Sequence, residues 1–284
     1  MAIRDLIRPL EGWALLDPAG EWLASKVTGL LANGPAKDLL SGTFLGHALH
    51  PVLTDVPIGA LTAATAFDLF GGESGGATAD ALTVLGLLAV PPTALAGLAD
   101  WSDSVDADRR LGLIHALANA GSSALYVAAL VSRRSGSRGT ARVFSALGLG
   151  VLGASGYIGG HLVFGRGLGV DHTVFDEAPT DWTRVAREAD LDPDAPVLVR
   201  ASGYGVLLYK HASGIHAIAA RCTHAGGPLQ EGEVDDDLCV TCPWHGSRFR
   251  LEDGSVVRGP ATAPQAAFEV QTVDGNVEVR VRAG

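Results

Sequence analysis

Three stretches of this chain, residues 81–99, 111–131 and 143–164, contain no charged side chain. Each is close to the roughly 20 apolar residues that cross a bilayer as a helix. A fourth stretch, about 52–70, carries Asp55 and Asp68. Those acids are about 20 Å apart along a helix and so could sit near opposite interfaces. Charge is scarce from about residue 50 to 165 and returns to ordinary soluble density from 171. The average for all 284 residues, 47% hydrophobic and 18% charged, hides this division between a membrane part and a soluble part. Pro91-Pro92 predicts a kink in the second span, and Gly148, Gly150, Gly153 and Gly156 favour close helix contact in the last.

Four spans return both chain ends to one membrane face, which arranges the histidines. His47 and His50 precede the first span, His115 lies one turn into the third, and His161 lies near the end of the fourth. All four are therefore expected at the face from which the soluble part emerges. Imidazoles so placed could ligate haem iron, copper or zinc, line a quinone pocket, or simply hydrogen-bond to Asp55, Asp100 or Asn119. Upstream, apolar residues at Ile3, Leu6, Ile7 and Leu10, and at Trp22, Leu23, Val27, Leu30 and Leu31, recur at helical spacing. Residues 1–36 are read as short amphipathic helices that lie on a membrane surface or cap the helical domain, the first being the reading taken, and not as a secretory signal, since no continuous apolar core is present.

The stretch Gly46-His-Ala-Leu-His-Pro-Val-Leu-Thr-Asp-Val-Pro-Ile-Gly59, with Gly-Leu-Ala-Asp-Trp101 and His115-Ala-Leu-Ala-Asn119, resembles the signature of a bacterial four-helix membrane family of unknown function. The resemblance covers about residues 40–165 and implies architecture only. In that family the membrane domain can be fused to a Rieske domain.

The net charge is −10 and the pI about 5.3, with no basic stripe, so nucleic acid is not an expected partner. Of three cysteines, Cys239 falls in a strand-like run and reads as a packing residue. The other two stand in the loops Cys222-Thr-His224-Ala-Gly-Gly-Pro-Leu229 and Cys242-Pro-Trp-His245-Gly-Ser-Arg-Phe249. A Rieske centre needs two thiolates on one iron and two imidazoles on the other, and one Cys–His pair from each loop supplies them. A zinc finger pairs Cys with Cys and His with His instead. The predicted ligands of one [2Fe–2S] cluster are Cys222, His224, Cys242 and His245. Short runs at 196–200, 206–211, 216–219, 238–242, 249–251, 267–272 and 277–281 predict an all-β domain around these loops.

From residue 182 onward the chain resembles the Rieske ferredoxin family, and Arg258-Gly-Pro-Ala261 with Pro264 resembles that family's cluster-covering proline loop. Quinol-oxidising respiratory relatives carry a disulfide where this chain has Gly227 and Trp244. They also place a Ser and a Tyr as donors to the cluster; here Ser247 is kept and Phe249 replaces the Tyr. The resemblance thus implies a potential above plant-type ferredoxins and below the respiratory class.

The expected architecture is an N-terminal all-α four-helix transmembrane bundle (37–165), a linker (166–181) and a C-terminal all-β Rieske domain (182–284). No Gly-x-Gly-x-x-Gly turn for a nicotinamide or flavin is evident. The expected function is single-electron transfer with a separate reductase, oxidase or oxygenase. The alternatives are a quinol-oxidising or quinone-reducing subunit using the histidine face, and a redox sensor. The expected location is a bacterial inner membrane. Arg133, Arg134, Arg138 and Arg142 argue for a cytoplasmic loop between the last two spans, but Lys37, Arg109, Arg110 and Arg166 balance them at the other face. The orientation taken is a cytoplasmic cluster.

Overall fold

The computed structural model describes residues 5, 7–31, 34–72 and 74–282. Ile3 and Leu6 of the expected first amphipathic helix lie outside that range. The chain forms two compact units, one of Met1–Leu30 with Leu49–Leu168 and one of Leu31–Ala48 with Gly169–Gly284.

In the first unit, the short α1 (Arg8–Glu11) and the longer α2 (Asp17–Leu31) precede four long helices. These are α4 (Leu49–Phe70), α5 (Gly75–Trp101), α6 (Asp106–Arg134) and α7 (Arg138–Gly160), and α7 ends in a π-turn over His161–Gly165. Each is long and apolar enough to cross a membrane. Short loops make sequence neighbours antiparallel, and α4 closes the ring on α7. Helix α5 runs on through Pro91 and Pro92. Thr93, the residue that follows them, donates from its Oγ1 to Ala89 O of the preceding turn at 2.8 Å and to Leu53 O of the neighbouring α4 at 3.2 Å.

The bundle is turned inside out relative to a protein in water. Large apolar side chains such as Phe67, Leu88, Leu95 and Leu147 face outward, whereas Ala64, Ala79, Ala96 and Ala129 are buried with Thr65, Asp68, Thr83, Ser122, Ser145 and Ser155. Lipid explains this distribution, because apolar side chains gain nothing by leaving it while small and polar residues gain close packing and hydrogen bonds. One face of α6 presents His115, Asn119, Ser122, Tyr126 and Arg133 at intervals of three, four or seven residues, all but Arg133 a single turn apart. At its far end Arg133, 4% exposed, is held between Asp68 and Asp80 and donates to Thr83 Oγ1 at 2.6 Å. Asp68, expected near an interface, is buried in this network with Ser145 and Arg133. Arg133 is therefore not a free loop charge, whereas Arg134 is exposed beside Asp80.

The second unit holds three antiparallel sheets. They are β1 (Thr183–Arg187), β10 (Asn276–Val281) and β9 (Phe268–Val273); β2 (Pro196–Ala201), β3 (Tyr204–His211) and β4 (Gly214–Ala219); and β5 (Glu233–Val234), β6 (Cys239–Thr241), β7 (Arg248–Arg250) and β8 (Val256–Arg258), each in that spatial order. The run Val206-Leu-Leu-Tyr209 is apolar without alternation because β3 is buried on both faces. Val206 and Leu208 pack with Phe268, Val277 and Val279; Leu207 and Tyr209 pack with Val240, Phe249, Leu251, Cys222 and Cys242. All seven strand-like runs are found as strands. The additional β1, β5 and β8 are short or polar and carry no periodic signal.

Composition misplaced the edges of this unit. The segment read as a linker packs on the β-domain: His172 N–H donates to Thr223 O at 2.8 Å, Val281 N–H donates to Pro179 O at 2.8 Å, and Arg221 pairs with Asp176. The helix α3 (Pro35–Ser41) and the 3-10 turn Thr43–Leu45 also fold with this unit rather than with the bundle.

Candidate functional site

The two Cys–His loops adopt one local design. In the first, Cys222 N–H donates to Gly227 O and Gly226 N–H donates to Cys222 O, both at 2.8 Å. In the second, Cys242 N–H donates to Ser247 O at 2.8 Å and Gly246 N–H donates to Cys242 O at 3.0 Å. Each loop closes from the cysteine to the fourth and fifth residues beyond it. The fourth is glycine because its φ is +79° at Gly226 and +74° at Gly246, a left-handed conformation costly for a side chain. The first loop follows β4 and the second links β6 to β7, so strand pairing fixes both.

These loops bring the four residues singled out in the sequence into two pairs, Cys222 with Cys242 and His224 with His245. The Cys222 and Cys242 thiols are buried and hydrogen-bonded to one another. That bond pulls the Cys242 thiol down to about 6, helped by the backbone N–H groups of Trp244 and His245. Its contact with Cys242 and its burial push the Cys222 thiol up, although the N–H groups of His224 and Ala225 face its sulfur. Each sulfur thus sits in a matching cradle of two backbone donors, suited to a thiolate. The imidazoles of His224 and His245 lie 5.0 Å apart, nearly perpendicular. Burial, with His245 and Lys37 nearby, pushes His224 down to about 3, so it is neutral and offers a lone pair.

His224 Nδ1 is buried without a hydrogen-bond partner among the described residues. Such a group is costly unless something bonds to it. Among the described residues, no three His, Cys, Asp or Glu side chains converge on one point. Two thiols and two imidazoles, each pair close and the pairs not converging, fit a binuclear centre with sulfur ligands at one iron and nitrogen ligands at the other. They do not fit a single tetrahedral zinc.

Gly227 and Trp244 are in contact. A Cβ on Gly227 would lie 2.8 Å from Cys242 Sγ and 3.2 Å from the Trp244 ring, so the indole covers the space beside the sulfur. Phe249 is fully buried in the core that holds both cysteines. Cys239 is buried in β6 and stands outside the site, as its strand-like setting suggested.

The segment Arg258-Gly-Pro-Ala261 is held by one residue from each cluster loop. Ala261 N–H donates to Ser247 Oγ at 2.9 Å, and Thr223 Oγ1 donates to Ala263 O at 2.8 Å. It is also held by residues the sequence did not link to it. Gly259 N–H donates to Asp38 Oδ1 at 2.8 Å, and Thr43 Oγ1 donates to Ala261 O at 3.4 Å. Lys37, 3% exposed, stands near His224. Gly34-Pro35 announces the start of α3, with Pro at its first position, but nothing in that motif names the surface on which it docks.

The membrane-domain histidines are only partly gathered. His50 on α4 and His115 on α6 have ring centroids 6.3 Å apart. His161 contacts Glu11 of α1 at 3.3 Å, and exposed His47 lies in the unit that contains the β-domain, its Nδ1 3.1 Å from Ala48 O. Asn119 donates to His115 Nε2 at 3.1 Å, as one expectation had it.

Residues 181–273 match the Rieske [2Fe-2S] domain family, and residues 46–172 match a family described as a predicted membrane protein, DUF2231. The ferredoxin CarAc of Metapseudomonas resinovorans is 32% identical over 99 residues, covering 34% of this chain and 92% of that protein. The 3-phenylpropionate/cinnamic acid dioxygenase ferredoxin subunit of Photorhabdus laumondii is 29% identical, covering 34% of this chain and 81% of that one. Among solved structures, the ferredoxin of carbazole 1,9a-dioxygenase from Nocardioides aromaticivorans aligns at 26% identity, covering 36% of this chain and all of that one, with a TM-score of 0.35.

Proposed function

Since the chain belongs to the Rieske [2Fe-2S] family and joins that domain to a DUF2231 membrane domain, we propose that it is a membrane-bound carrier of single electrons for a separate redox protein. In this reading Cys222 and Cys242 hold one iron and His224 and His245 the other. The cluster, when bound, would supply one-electron transfer. The chain's own residues do the rest. Backbone donors at 224–225 and 244–245 stabilise the thiolates. The neutral imidazoles would each offer one ring nitrogen's lone pair to iron while keeping the N–H on the other, and Thr223 and Ser247 fasten the covering loop.

The observation that carries this reading is the pair of matched loops around a buried, unpartnered imidazole nitrogen. The partner class is supported by sequence relatives that are dioxygenase ferredoxin subunits by name. An oxygenase or its reductase is thus the partner proposed here. Gly227 and Trp244, in place of a disulfide, also favour a ferredoxin over a quinol oxidase. The test is reduction of the cluster in the full chain, by a ferredoxin reductase of a dioxygenase system or by quinol. Rapid reduction by the reductase and none by quinol supports the carrier. Quinol reduction abolished by His115→Ala would favour the quinol reading instead.

The membrane proposed is a bacterial inner membrane, with the cluster on the cytoplasmic side. Labelling Ser137→Cys, between α6 and α7, with an impermeant maleimide tests the orientation. Labelling of intact spheroplasts is expected; labelling only after lysis would reverse it.

A further inference from the structure

The bundle contains a second constellation that electron transfer by the β-domain does not use. His50 and His115 stand on facing helices, 6.3 Å between ring centroids and 87° between ring planes. Each imidazole is anchored by its Nδ1 to a backbone carbonyl of a third or fourth helix. His50 Nδ1 donates to Thr93 O of α5 at 2.9 Å, and His115 Nδ1 donates to Ser155 O of α7 at 2.8 Å. A carbonyl can only accept, so both protons are on Nδ1 and both Nε2 atoms carry lone pairs. This is the tautomer a metal ligand needs, set by the second bond that such ligands characteristically make. Among the described residues no donor faces His50 Nε2. The rings are also fixed by contact with neighbouring backbone. A Cβ at Gly97 would lie 2.8 Å from the His50 ring, and one at Gly159 would lie 3.0 Å from the His115 ring.

The separation selects the kind of centre. With metal–nitrogen bonds of about 2.0–2.1 Å, each ring centroid lies roughly 3.2 Å from the metal. Two rings on opposite sides of one metal are then about 6.3 Å apart, whereas tetrahedral ligands come to about 5 Å. The observed spacing matches the opposed arrangement, that of two axial imidazoles on a haem iron. No third His, Cys, Asp or Glu joins the pair among the described residues, as a tetrahedral ion would require. Neither cysteine-rich loop has the Cys-x-x-Cys-His form of covalent attachment.

We propose that His50 and His115 are the axial ligands of a non-covalently bound haem inside the four-helix bundle. Ligation through His115 Nε2 replaces its contact with Asn119. The site makes the bundle a redox domain in its own right, and its existence does not depend on which residues hold the iron–sulfur cluster.

The test uses the full chain, purified in detergent from haem-replete cells, with a pyridine haemochrome assay and a reduced-minus-oxidised optical spectrum. About one haem per chain is expected. His50→Ala and His115→Ala should each lower the haem-to-protein ratio at least tenfold while the Rieske EPR signal persists. Asn119→Ala should keep the haem. Because an alanine variant can fail to fold, His115→Met provides a second readout: retained haem with a shifted Soret band and a raised potential. Absence of haem at full cluster occupancy overturns the proposal, even if a quinone or a metal ion copurifies. So does haem retained at wild-type ratio in both alanine variants.

Discussion

At Gly227 a backbone lies against a sulfur on one side and an indole on the other, with no room for a side chain. Gly227→Val should therefore force Cys242 or Trp244 aside. Overpacking of this kind costs about 1–3 kcal/mol, and the expected outcome is a lower melting temperature with a reduced iron and sulfide content. An unchanged iron content would show that the loop can open without loss. Ser247 supports a different prediction. Its oxygen accepts the Ala261 N–H, so its own proton is available to another acceptor in a buried site. Ser247→Ala should keep the cluster but lower its midpoint by tens of millivolts, since about 1 kcal/mol of differential hydrogen-bond energy is roughly 40 mV for one electron. The two cluster loops were legible in the sequence because a mixed Cys–His pairing has few other meanings, and the ligation by Cys222, His224, Cys242 and His245 is the proposal they support. By contrast, the burial of Arg133 was not legible. An arginine at the end of an apolar run looks like a loop charge until Asp68 and Asp80 are seen on either side.

The elements differ in how far sequence could define them. The long spans were visible because a bilayer demands about 20 uncharged residues, and hydrogen bonding within the helix closes their backbone. What composition could not show is that their interior is polar. Arg133 with Asp68 is the clearest case. Arg133→Met leaves a buried carboxylate uncompensated, which costs about 3–5 kcal/mol. A detergent-resistance or thermal assay of the bundle should fall accordingly, and Arg133→Met with Asp68→Asn should recover part of the loss. Similar stability in the single variant would mean that water reaches this end of the bundle. Helix α3 is the converse case. It is short, and its role lies entirely in tertiary contacts, so periodicity had nothing to report. Asp38→Ala removes the acceptor for Gly259 N–H and should cost about 1–3 kcal/mol, because a buried donor is left unsatisfied. Faster hydrogen exchange at the amides of Gly259 and Ala261, with faster loss of the cluster to chelators, is the expected observation.

For the whole molecule, the chain passes between its two compact units at three points, after Leu30, Ala48 and Leu168. A domain hung from one linker would be released by cutting that linker. Here Leu31–Ala48 is continuous with α4 and is hydrogen-bonded to the loop at Gly259 and Ala261. A protease site inserted after Arg166 should therefore leave the β-domain in the membrane fraction after cleavage, and Asp38→Ala with Thr43→Val should increase its release. Boundaries of this sort are hidden from composition, which averages along the chain and cannot see a segment that packs out of order. The fold class and the iron–sulfur centre, however, rest on the spans and on the two loops. The measurement that bears most directly on the central claim is an EPR-monitored redox titration of the intact protein. The account predicts a one-electron transition with a Rieske spectrum, and nitrogen couplings from two imidazoles of which His224→Cys removes one. Its midpoint should lie above the roughly −400 mV of plant-type ferredoxins and well below the +300 mV upper end of Rieske centres. An all-sulfur spectrum, or a midpoint at that upper end, would contradict it.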